Sequence, residues 1–448
     1  MKLSAVILAA GQGTRMKSSL PKVLHPLLGR PMAWYALEAV HQVTHSTPVM
    51  VIGHQAEQVR QGLGDQAEYV LQEPQLGTGH AVMQAEPLLA GKSDLVLVTY
   101  ADMPLLTAQT LSRLVEMAQA HASPLSMLTM TTGEPRGFGR ILRDPSGKVV
   151  GIVEEAQATP EQLAIRELNP GVYCFRDAWL WQSLRRIPLS PKGEYYLTDL
   201  VELAVGDGAD IQSLSVADPD EMIGINTRLH LAQAGALLRR RINQAWMEAG
   251  VSMVDPDHTY IEPGVTLGQD TTLWPGTYLH GNTHIGAGCT IGPDTIIRDS
   301  QVGNDCTLLA SVLEGALLED RVSMGPYCHL RKGAHLCTGA HMGYFGEIKN
   351  STLGPGAKMG HFSYLGDTTV GAKVNIGAGT ITCNYDGEQK FPTEIGEDAF
   401  IGSDTMLVAP VKVGAGARTG AGAVVTRDVP PHSLVVGVPA KVVRKLKP

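Results

Sequence analysis

The 448-residue chain has little of what marks a secreted, membrane-bound or nucleic-acid-binding protein. Its six cysteines form no CxxC pair, so the sequence predicts neither a zinc knuckle nor a disulfide framework, and free thiols are typical of a reducing cytosol. No apolar run approaches the roughly 18 residues of a transmembrane helix, and the run at residues 3–10 is too short for a secretion signal. The net charge of −8 is unfavourable for coating nucleic-acid phosphates. We therefore expect a cytoplasmic protein that has neither a membrane nor a nucleic acid as a partner.

Glycine divides the chain into two parts. Residues 1–260 contain 21 of the 50 glycines, whereas the shorter segment 261–448 contains 29. In the first part, short apolar runs (residues 5–10, 49–53, 69–72, 95–100, 125–131 and 149–153) alternate with helical patterns, which predicts a mostly parallel sheet covered on both faces. Leucines at helical spacing predict a connecting helix over 227–249. We expect domains at 1–226 and 250–448 on either side of it.

The second part repeats every six residues. Aliphatic residues stand six apart at Ile261, Leu267, Leu273, Leu279, Ile285 and Ile291, and the same period returns from 353 and again from 395. Neither a helix nor an alternating strand has this period, which indicates a parallel β-helix whose stacked coils bury one aliphatic column. Two segments interrupt the pattern, 311–349 and 383–394, and we expect the second to be an extruded loop.

Three features of the first part suggest phosphate chemistry. The sequence GQGTRM at 11–16 follows a predicted strand, and such a loop can turn its amide hydrogens toward an anion, with Arg15 and Lys22 as nearby cations. A second Gly-rich loop at 75–81 opens a helix. Asp102 follows another strand, where a magnesium ligand is expected at the carboxyl edge of the sheet. Taken singly, each feature is also explained as an ordinary turn or cap.

The second part contains a possible base beside cations. His361 lies inside a repeat where an ordinary corner residue would serve, and a histidine can be a neutral base near neutral pH. Arg331 and Lys349 could hold a phosphate, and Tyr364 follows three residues after the histidine. A single histidine among fifteen is more often structural, so the hypothesis that His361 is a base depends on the residues near it.

The order of motifs resembles a known family. The motifs LAAGQGTRM, PKVLHPL, LGTGHA, YADMPL, GFGRI and NPGVY occur in the order found in sugar-phosphate nucleotidyltransferases. With the repeats behind them, nearly the whole chain is similar to the bacterial bifunctional N-acetylglucosamine-1-phosphate uridyltransferase / glucosamine-1-phosphate acetyltransferases. The resemblance implies a Rossmann-like α/β nucleotidyltransferase domain, a connecting helix and a left-handed parallel β-helix. It also implies two-step synthesis of UDP-N-acetylglucosamine from glucosamine 1-phosphate, acetyl-CoA and UTP, with N-acetylglucosamine 1-phosphate as the intermediate, for peptidoglycan and lipopolysaccharide.

The resemblance also assigns residues of the first domain. It implies that Asp102 and Asn226 hold Mg²⁺ and that Arg15 stabilises the leaving diphosphate. The residues that it implies for UTP and the sugar nucleotide are Leu8, Ala9, Ala10, Gly11, Lys22, Gln72, Gly77, Thr78, Tyr100, Ala101, Asp102, Gly139, Glu154, Asn169 and Asn226.

For the second domain, the resemblance implies that His361 is the general base of acetyl transfer in a homotrimer with sites between subunits. The residues implied for glucosamine phosphate are Arg331, Lys349, Tyr364, Asn375, Asn384 and Tyr385, and those implied for acetyl-CoA are Ala378, Ser403 and Ala421. Val438 stands where the family has an arginine that meets CoA, and Tyr344 stands where asparagine is expected, so Lys441 or Arg444 is left to serve the CoA phosphates.

Two alternatives remain open at the level of sequence. The chain could be a nucleotidyltransferase with one activity on another sugar phosphate, or its solenoid could be only a scaffold for assembly. A scaffold has no need of a base beside two cations, which favours the bifunctional interpretation.

Overall fold

The computed structural model describes residues 1–133 and 137–445, so the last three residues of the predicted domain 250–448 lie outside the described part. The chain divides into two compact units, Met1–Leu238 and Arg239–Pro448. The division falls within the long helix α9 (Arg228–Glu248), whereas the sequence predicted a helix over 227–249 with domain boundaries at its ends.

The first unit is an α/β sandwich. Its strands are β1 (Leu3–Ala9), β2 (Pro26–Leu27), β3 (Arg30–Pro31), β4 (Val49–Ile52), β5 (Glu68–Leu71), β6 (Leu95–Tyr100), β7 (Leu125–Thr131), β8 (Gly139–Arg143), β9 (Val149–Val153), β10 (Glu167–Asn169), β11 (Tyr173–Arg176) and β12 (Gln212–Ser215). Its helices are α1 (Met32–Thr44), α2 (Ala56–Leu63), α3 (Gly77–Met83), α4 (Glu86–Leu89), α5 (Ala108–Ala120), α6 (Pro160–Leu163), α7 (Asp177–Leu184) and α8 (Asp199–Gly206). Short 3₁₀ turns lie at Thr14–Met16, Lys22–Leu24, Gly64–Gln66, Glu155–Gln157 and Pro219–Met222.

Helices cover both faces of the central sheet, as predicted. Alternate side chains of β1 enter opposite cores: Ile7 packs in the core that includes residues of α1 and α5, and Leu8 packs in the core that includes residues of α3, α7 and α8. Side chains of successive strand residues point to opposite faces, so a strand buried on both faces reads as a continuous apolar run.

The sheet is parallel over only half of its width. Its order is β5-β4-β1-β6-β11-β7-β10-β8-β9, with β12 paired to β7. Strands β5, β4, β1 and β6 are parallel, but β11 is antiparallel to β6 and β7, and β8, β9 and β10 pair antiparallel. The expectation of a mostly parallel sheet is therefore wrong for this half. The turn between β8 and β9, where Asp144 accepts from the amides of Ser146 and Lys148, shows the reason: a hairpin needs no crossover helix.

The second unit is a three-sided parallel β-helix made of sheets of twelve, ten and nine strands. The strands of face 1 are Ser252–Met253, Thr272–Leu273, Thr290–Ile291, Thr307–Leu308, Ser323–Met324, His341–Met342, Lys358–Met359, Asn375–Ile376, Phe400–Ile401, Arg418–Thr419, Ser433–Val436 and the antiparallel Lys441–Lys445. Those of face 2 are Thr259–Ile261, Thr277–His280, Ile296–Arg298, Val312–Glu314, His329–Leu330, Gly346–Lys349, Ser363–Gly366, Ile381–Cys383, Met406–Val408 and Val424–Val425. Those of face 3 are Thr266–Leu267, His284–Ile285, Gln301–Val302, Leu317–Leu318, His335–Leu336, Thr352–Leu353, Thr368–Val370, Thr393–Ile395 and Val411–Val413. A 3₁₀ turn at Pro256–His258 precedes face 2.

The coils continue without a break through 311–349, where the sequence suggested an interruption. Buried residues fill the central column along this segment: Leu313, Leu318, Met324, Leu330, Leu336, Met342 and Ile348. The apparent loss of period arises because some corners are one residue short, as between Leu313 and Leu318. A fixed six-residue template therefore loses phase although the stacking continues.

The loop predicted at 383–394 is confirmed over 384–392, whereas Cys383, Thr393 and Glu394 belong to the flanking strands. Residues 384–392 leave the coil between the strands Ile381–Cys383 and Thr393–Ile395, and Tyr385 pairs with Lys390 in an antiparallel bridge. The backbone of Asn384 accepts from the amide of Phe391 at 2.8 Å, which closes the base of the loop.

Within residues 1–133 and 137–445, no helix is both long and apolar enough to cross a bilayer. The six cysteines are unpaired thiols, and five of them are buried.

Candidate active sites

The first unit has two adjoining cavities at the carboxyl edge of its parallel strands. Their volumes are about 520 Å³ and about 820 Å³, and Thr78, Tyr100, Asp102 and Tyr196 line both. The register of β1 against β6 pairs Leu8 with Tyr100, so the loop after β1 lies beside Asp102. Ligands of open α/β sheets bind at this edge, where neighbouring strands end in loops.

Nearly all of the sequence-predicted residues of this unit line one of the two cavities. In the smaller cavity these are Leu8, Ala9, Ala10, Gly11, Lys22, Gln72, Gly77, Thr78, Tyr100 and Asp102. In the larger cavity they are Arg15, Thr78, Tyr100, Asp102, Gly139, Glu154, Asn169 and Asn226. Ala101 is the exception: it is fully buried, and its amide donates to the carbonyl of Leu8.

A lysine joins the two groups that were expected to hold a metal. The ammonium Nζ of Lys22 lies 2.5 Å from Oδ2 of Asp102 and 3.2 Å from Oδ1 of Asn226. The side chains of Lys22 and Asp102 are only 12% and 18% exposed. Two oxygens from distant parts of the chain therefore converge on one cationic group.

The wall of the larger cavity includes the carboxylate of Glu154, which accepts a hydrogen bond from the residue that precedes α8. Glu154 accepts at Oε1 from the hydroxyl of Thr198 at 3.1 Å. Burial, and then the charges of Glu202 and Glu154, raise the pKa of Asp199 to about 6. Burial together with the charges of Asp102 and Glu154 also raises the pKa of Tyr100, so its hydroxyl stays protonated.

The side-chain amide of Asn169 already makes two hydrogen bonds within the protein. Its Nδ2 donates to the hydroxyl of Tyr173 at 2.7 Å, and its Oδ1 accepts from the amide of Gly171 at 3.0 Å. The side chain is fixed in the cavity wall, with one amide hydrogen left over for a ligand.

Several lining residues were missed because tertiary packing brings them in. Glu194, Tyr196 and Thr198 lie in a segment with no recognisable motif. This segment also explains why residue 77 is a glycine, because a Cβ there would lie only 2.7 Å from the carbonyl oxygen of Tyr195. The glycine in the second Gly-rich loop is therefore required for close backbone packing, in addition to any contact with a ligand.

The solenoid brings several predicted cationic and polar residues together on face 2. Leu330 pairs with Ile348, so Arg331 and Lys349 follow at the same position on neighbouring coils. Arg331 also bonds Glu347 at 3.0 Å. A direct side-chain contact with Lys390, and then the positive charges of Lys390 and Arg331, lower the pKa of Lys349, which indicates cations closer together than a solvated surface favours.

A glycine brings Tyr364 and Asn384 close to these cations. Gly366 is the register partner of Lys349, and a Cβ there would collide with the hydroxyl of Tyr364 and lie 2.7 Å from Nδ2 of Asn384. Asp367, which the sequence did not single out, accepts from Asn384 Nδ2 at 2.6 Å. Tyr385, in contrast, is an exposed member of the extruded loop, and its hydroxyl bonds the carbonyl of Gly387.

His361 lies at the corner between faces 1 and 2, in line with the predicted acetyl-CoA residues. Backbone hydrogen bonds stack this corner coil upon coil, from Gly379 N to Phe362 O (2.7 Å), from Asp404 N to Ala378 O (2.6 Å) and from Gly422 N to Ser403 O (2.8 Å). The column thus runs through His361, Ala378, Ser403 and Ala421. His361 is exposed, and its imidazole has no hydrogen-bond partner in the described part of the chain.

Not every predicted residue of the solenoid lies on the same face. Asn375 is in face 1, paired with Lys358, whereas Lys349 and Tyr364 are in face 2. Tyr344 occupies the corner one coil before His361 and is 54% exposed. Val438 is 74% exposed near the start of the final antiparallel strand, which carries Lys441 and Arg444.

Comparisons with known proteins match both units. Residues 5–188 match the MobA-like NTP transferase domain, and residues 264–299 and 392–427 match the bacterial transferase hexapeptide (six repeats). The chain is 44% identical over 433 residues to the bifunctional protein GlmU of Halalkalibacterium halodurans, covering 96% of this chain and 95% of that protein. It is 47% identical to GlmU of Heliobacterium modesticaldum (97% and 95% covered) and 46% identical to GlmU of Pelobacter propionicus (97% and 95% covered).

Proposed function

The chain belongs to the family of bifunctional GlmU proteins and is an enzyme of the two-step synthesis of UDP-N-acetylglucosamine, and we propose which residues carry each step. Uridylyl transfer occurs in the cavities around Lys22 and Asp102. Acetyl transfer occurs on the solenoid around His361. The observation that carries the proposal is that the predicted uridylyl-transfer residues, apart from Ala101, line two adjoining cavities of the first unit, whereas the predicted acetyl-transfer residues all lie on the solenoid.

For uridylyl transfer, a phosphate oxygen of N-acetylglucosamine 1-phosphate attacks the α-phosphorus of UTP, and diphosphate leaves. No protein nucleophile is needed, so catalysis consists of positioning and charge neutralisation. Lys22 and Arg15 line the cavities as cations for the triphosphate. Tyr100, Gly139, Glu154 and Asn169 line the larger cavity, which we assign to the sugar.

The donor set fits a hard divalent cation. Asp102 and Asn226 present a carboxylate and an amide oxygen to one point, where the ammonium of Lys22 now lies. Such oxygens suit Mg²⁺, which when bound would neutralise charge on the phosphates. Lys22 would then exchange Asp102 for another anionic partner, and the phosphates of UTP are the obvious one.

For acetyl transfer, His361 removes the proton from the amine of glucosamine 1-phosphate as nitrogen attacks the thioester carbonyl, and CoA leaves as the thiol. Its free imidazole and its exposed corner support this role. Arg331 and Lys349 supply charge for the sugar phosphate, and Lys390 adds a third cation nearby. The column of Ala378, Ser403 and Ala421 offers a long, shallow surface for the extended CoA molecule.

We further propose that the acetyl-transfer site is completed between copies of the chain in a homotrimer. The position of Asn375 on face 1, away from the face 2 residues, supports this arrangement, because a residue from one copy can then meet the cations of another. We place both reactions in the cytoplasm, as suppliers of precursor for peptidoglycan and lipopolysaccharide. Acetyl-CoA and UTP are the co-substrates.

The test uses the purified full-length chain. With glucosamine 1-phosphate and acetyl-CoA it should release CoA thiol, and subsequent UTP and Mg²⁺ should yield UDP-N-acetylglucosamine by mass. Asp102→Ala should abolish only the second step and His361→Ala only the first, each variant serving as the folding control for the other. Loss of both activities in either variant, with the fold intact by circular dichroism, would contradict the assignment. Product formed only from N-acetylglucosamine 1-phosphate would instead favour a solenoid that is only a scaffold.

A further inference from the structure

Three metal-ligating side chains meet on the outer surface of face 3, outside both candidate active sites. Leu318 pairs with Leu336 in neighbouring coils, so the residues that follow them, Glu319 and Cys337, lie side by side. His335 precedes Cys337 by two residues, and its Nε2 lies 3.8 Å from Sγ of the cysteine, so the two side chains meet on the same side of the coil. The central Leu336 points inward, into the buried column.

The ligating atoms form a small triangle. Nε2 of His335 lies 2.9 Å from Oε1 of Glu319 and 3.8 Å from Sγ of Cys337. All three atoms lie within 4.8 Å of one another. Metal–ligand bonds of about 2.0–2.3 Å place tetrahedral ligands roughly 3.3–3.8 Å apart, so the thiol–imidazole distance already suits an ion and the Glu319–His335 hydrogen bond has to open by about 0.4 Å to admit one.

Thr338 orients the carboxylate. Its amide and its hydroxyl both donate to Oε2 of Glu319, at 2.8 and 2.7 Å, which leaves Oε1 directed at the histidine and the thiol. Supporting hydrogen bonds of this kind are typical around metal ligands.

A Glu–His pair elsewhere in the described part of the solenoid has no cysteine beside it. Glu262 accepts from His280 Nδ1 at 2.8 Å and from the amide of Gly281 at 2.7 Å, with His280 at the register position that Cys337 has beside Glu319. A hydrogen bond between coils therefore accounts for a Glu–His pair. It does not account for Cys337, which is only 8% exposed and aligned with the same point.

We propose that Glu319, His335 and Cys337 bind a late first-row transition-metal ion, with Zn²⁺ as the best fit. A thiolate, an imidazole and one carboxylate oxygen suit Zn²⁺ or Co²⁺ and disfavour Mg²⁺ and Ca²⁺, which prefer all-oxygen sites. Three protein ligands leave the fourth tetrahedral position for water or an external ligand. The ion displaces the thiol proton of Cys337 and links two adjacent coils.

The test is a Co²⁺ titration of the full-length protein with excess Mg²⁺ to occupy all-oxygen sites. We expect about one equivalent of Co²⁺ to give a thiolate-to-cobalt charge-transfer band with the visible bands of a tetrahedral ion. Cys337→Ser should remove the charge-transfer band, whereas His280→Gln should retain it. Absence of the band from the unaltered protein, or its persistence in Cys337→Ser, would overturn the proposal.

Glu319→Gln provides a second test that leaves every thiol in place. Calorimetry with Zn²⁺ should show an affinity at least about tenfold lower for this variant than for the unaltered protein, and no such change for Glu262→Gln. Equal affinity in Glu319→Gln and the unaltered protein would remove the carboxylate from the site and refute the proposed ligand set. Metal-free thermal unfolding of each variant reports whether the coils themselves have been disturbed.

Discussion

Replacing Lys22 by glutamine should strengthen the binding of Mn²⁺ or Mg²⁺ to the nucleotide-free enzyme. The ammonium of Lys22 lies between Asp102 and Asn226, at the place that a divalent cation would take, so the two cations compete. Glutamine keeps most of the length of the side chain and removes the charge. The change thus removes a competitor without removing either proposed ligand.

The size of the effect follows from the geometry. Two unit charges about 4 Å apart interact by about 4 kcal/mol at an effective dielectric constant of about 20, and full exposure reduces this to below about 1 kcal/mol. The Lys22 and Asp102 side chains are 12% and 18% exposed, between these limits. We therefore expect a gain of about 1.5–3 kcal/mol, which is roughly a 10- to 100-fold tighter metal site.

Calorimetric titration with Mn²⁺, with and without saturating UTP, is the assay. The gain should be largest without UTP, because the triphosphate competes with Asp102 for Lys22, while kcat/KM for UTP should fall in the same variant. Asp102→Asn identifies the heat that belongs to this site. Lys148→Gln is the control, since Lys148 and Asp210 are 3.5 Å apart and 60% and 56% exposed. Unchanged or weaker Mn²⁺ binding by nucleotide-free Lys22→Gln would refute the reasoning.

Two further predictions test the solenoid and the first unit. Gly366→Ala should displace Tyr364 and Asn384 and lower kcat/KM for glucosamine 1-phosphate about 100-fold in the CoA-release assay, with uridylyl transfer unchanged. Gly206→Ala is the control and should change neither activity, because a Cβ at residue 206 meets open space. Near-normal acetylation by Gly366→Ala would contradict the prediction and show that the contact is easily relieved. Asp199→Asn should stabilise the protein at pH 8 but not at pH 4, because the folded-state pKa is raised to about 6 and the carboxylate costs stability as pH rises through that value. After allowance for solvent screening of this half-exposed group, the gain is about 1 kcal/mol by urea unfolding. Asp207→Asn should show the opposite sign, since Arg186 lowers the pKa of Asp207, and equal effects of Asp199→Asn at both pH values would contradict the argument.

The sequence predicted what depends on local pattern. The six-residue period identified the β-helix because each coil repeats the same inward-facing position, and strand-then-loop patterns placed Gly11 and Asp102 at the edge of a sheet. Both depend on residues close together in the chain. The extruded loop at 384–392 was predictable for the same reason, since a polar segment with Pro and Gly cannot supply a buried column.

Pairings between distant residues could not be predicted. Lys22 lies 80 positions from Asp102 and 204 from Asn226, and nothing local specifies that their charges meet. The antiparallel half of the sheet likewise depends on which strand lies beside which. The short hairpin connection at 144–148 was a local signal for it that the alternation of helices and strands obscured. Thr198 and Tyr196 reach the cavity through the packing of a segment without motif, so only the fold reveals them.

The corner column through His361, Ala378, Ser403 and Ala421 has a length that is fixed by the spacing of the coils. Neighbouring coils are about 4.8 Å apart, so the column from His361 to Ala421 measures about 14 Å whatever side chains it carries. The extruded loop at 384–392 adds residues between Ala378 and Ser403 without adding a coil. The two coils remain neighbours, since the amide of Asp404 donates to the carbonyl of Ala378. The length of this proposed acetyl-CoA surface can therefore change only in whole steps, by the gain or loss of a coil, and not by gradual adjustment of the existing coils.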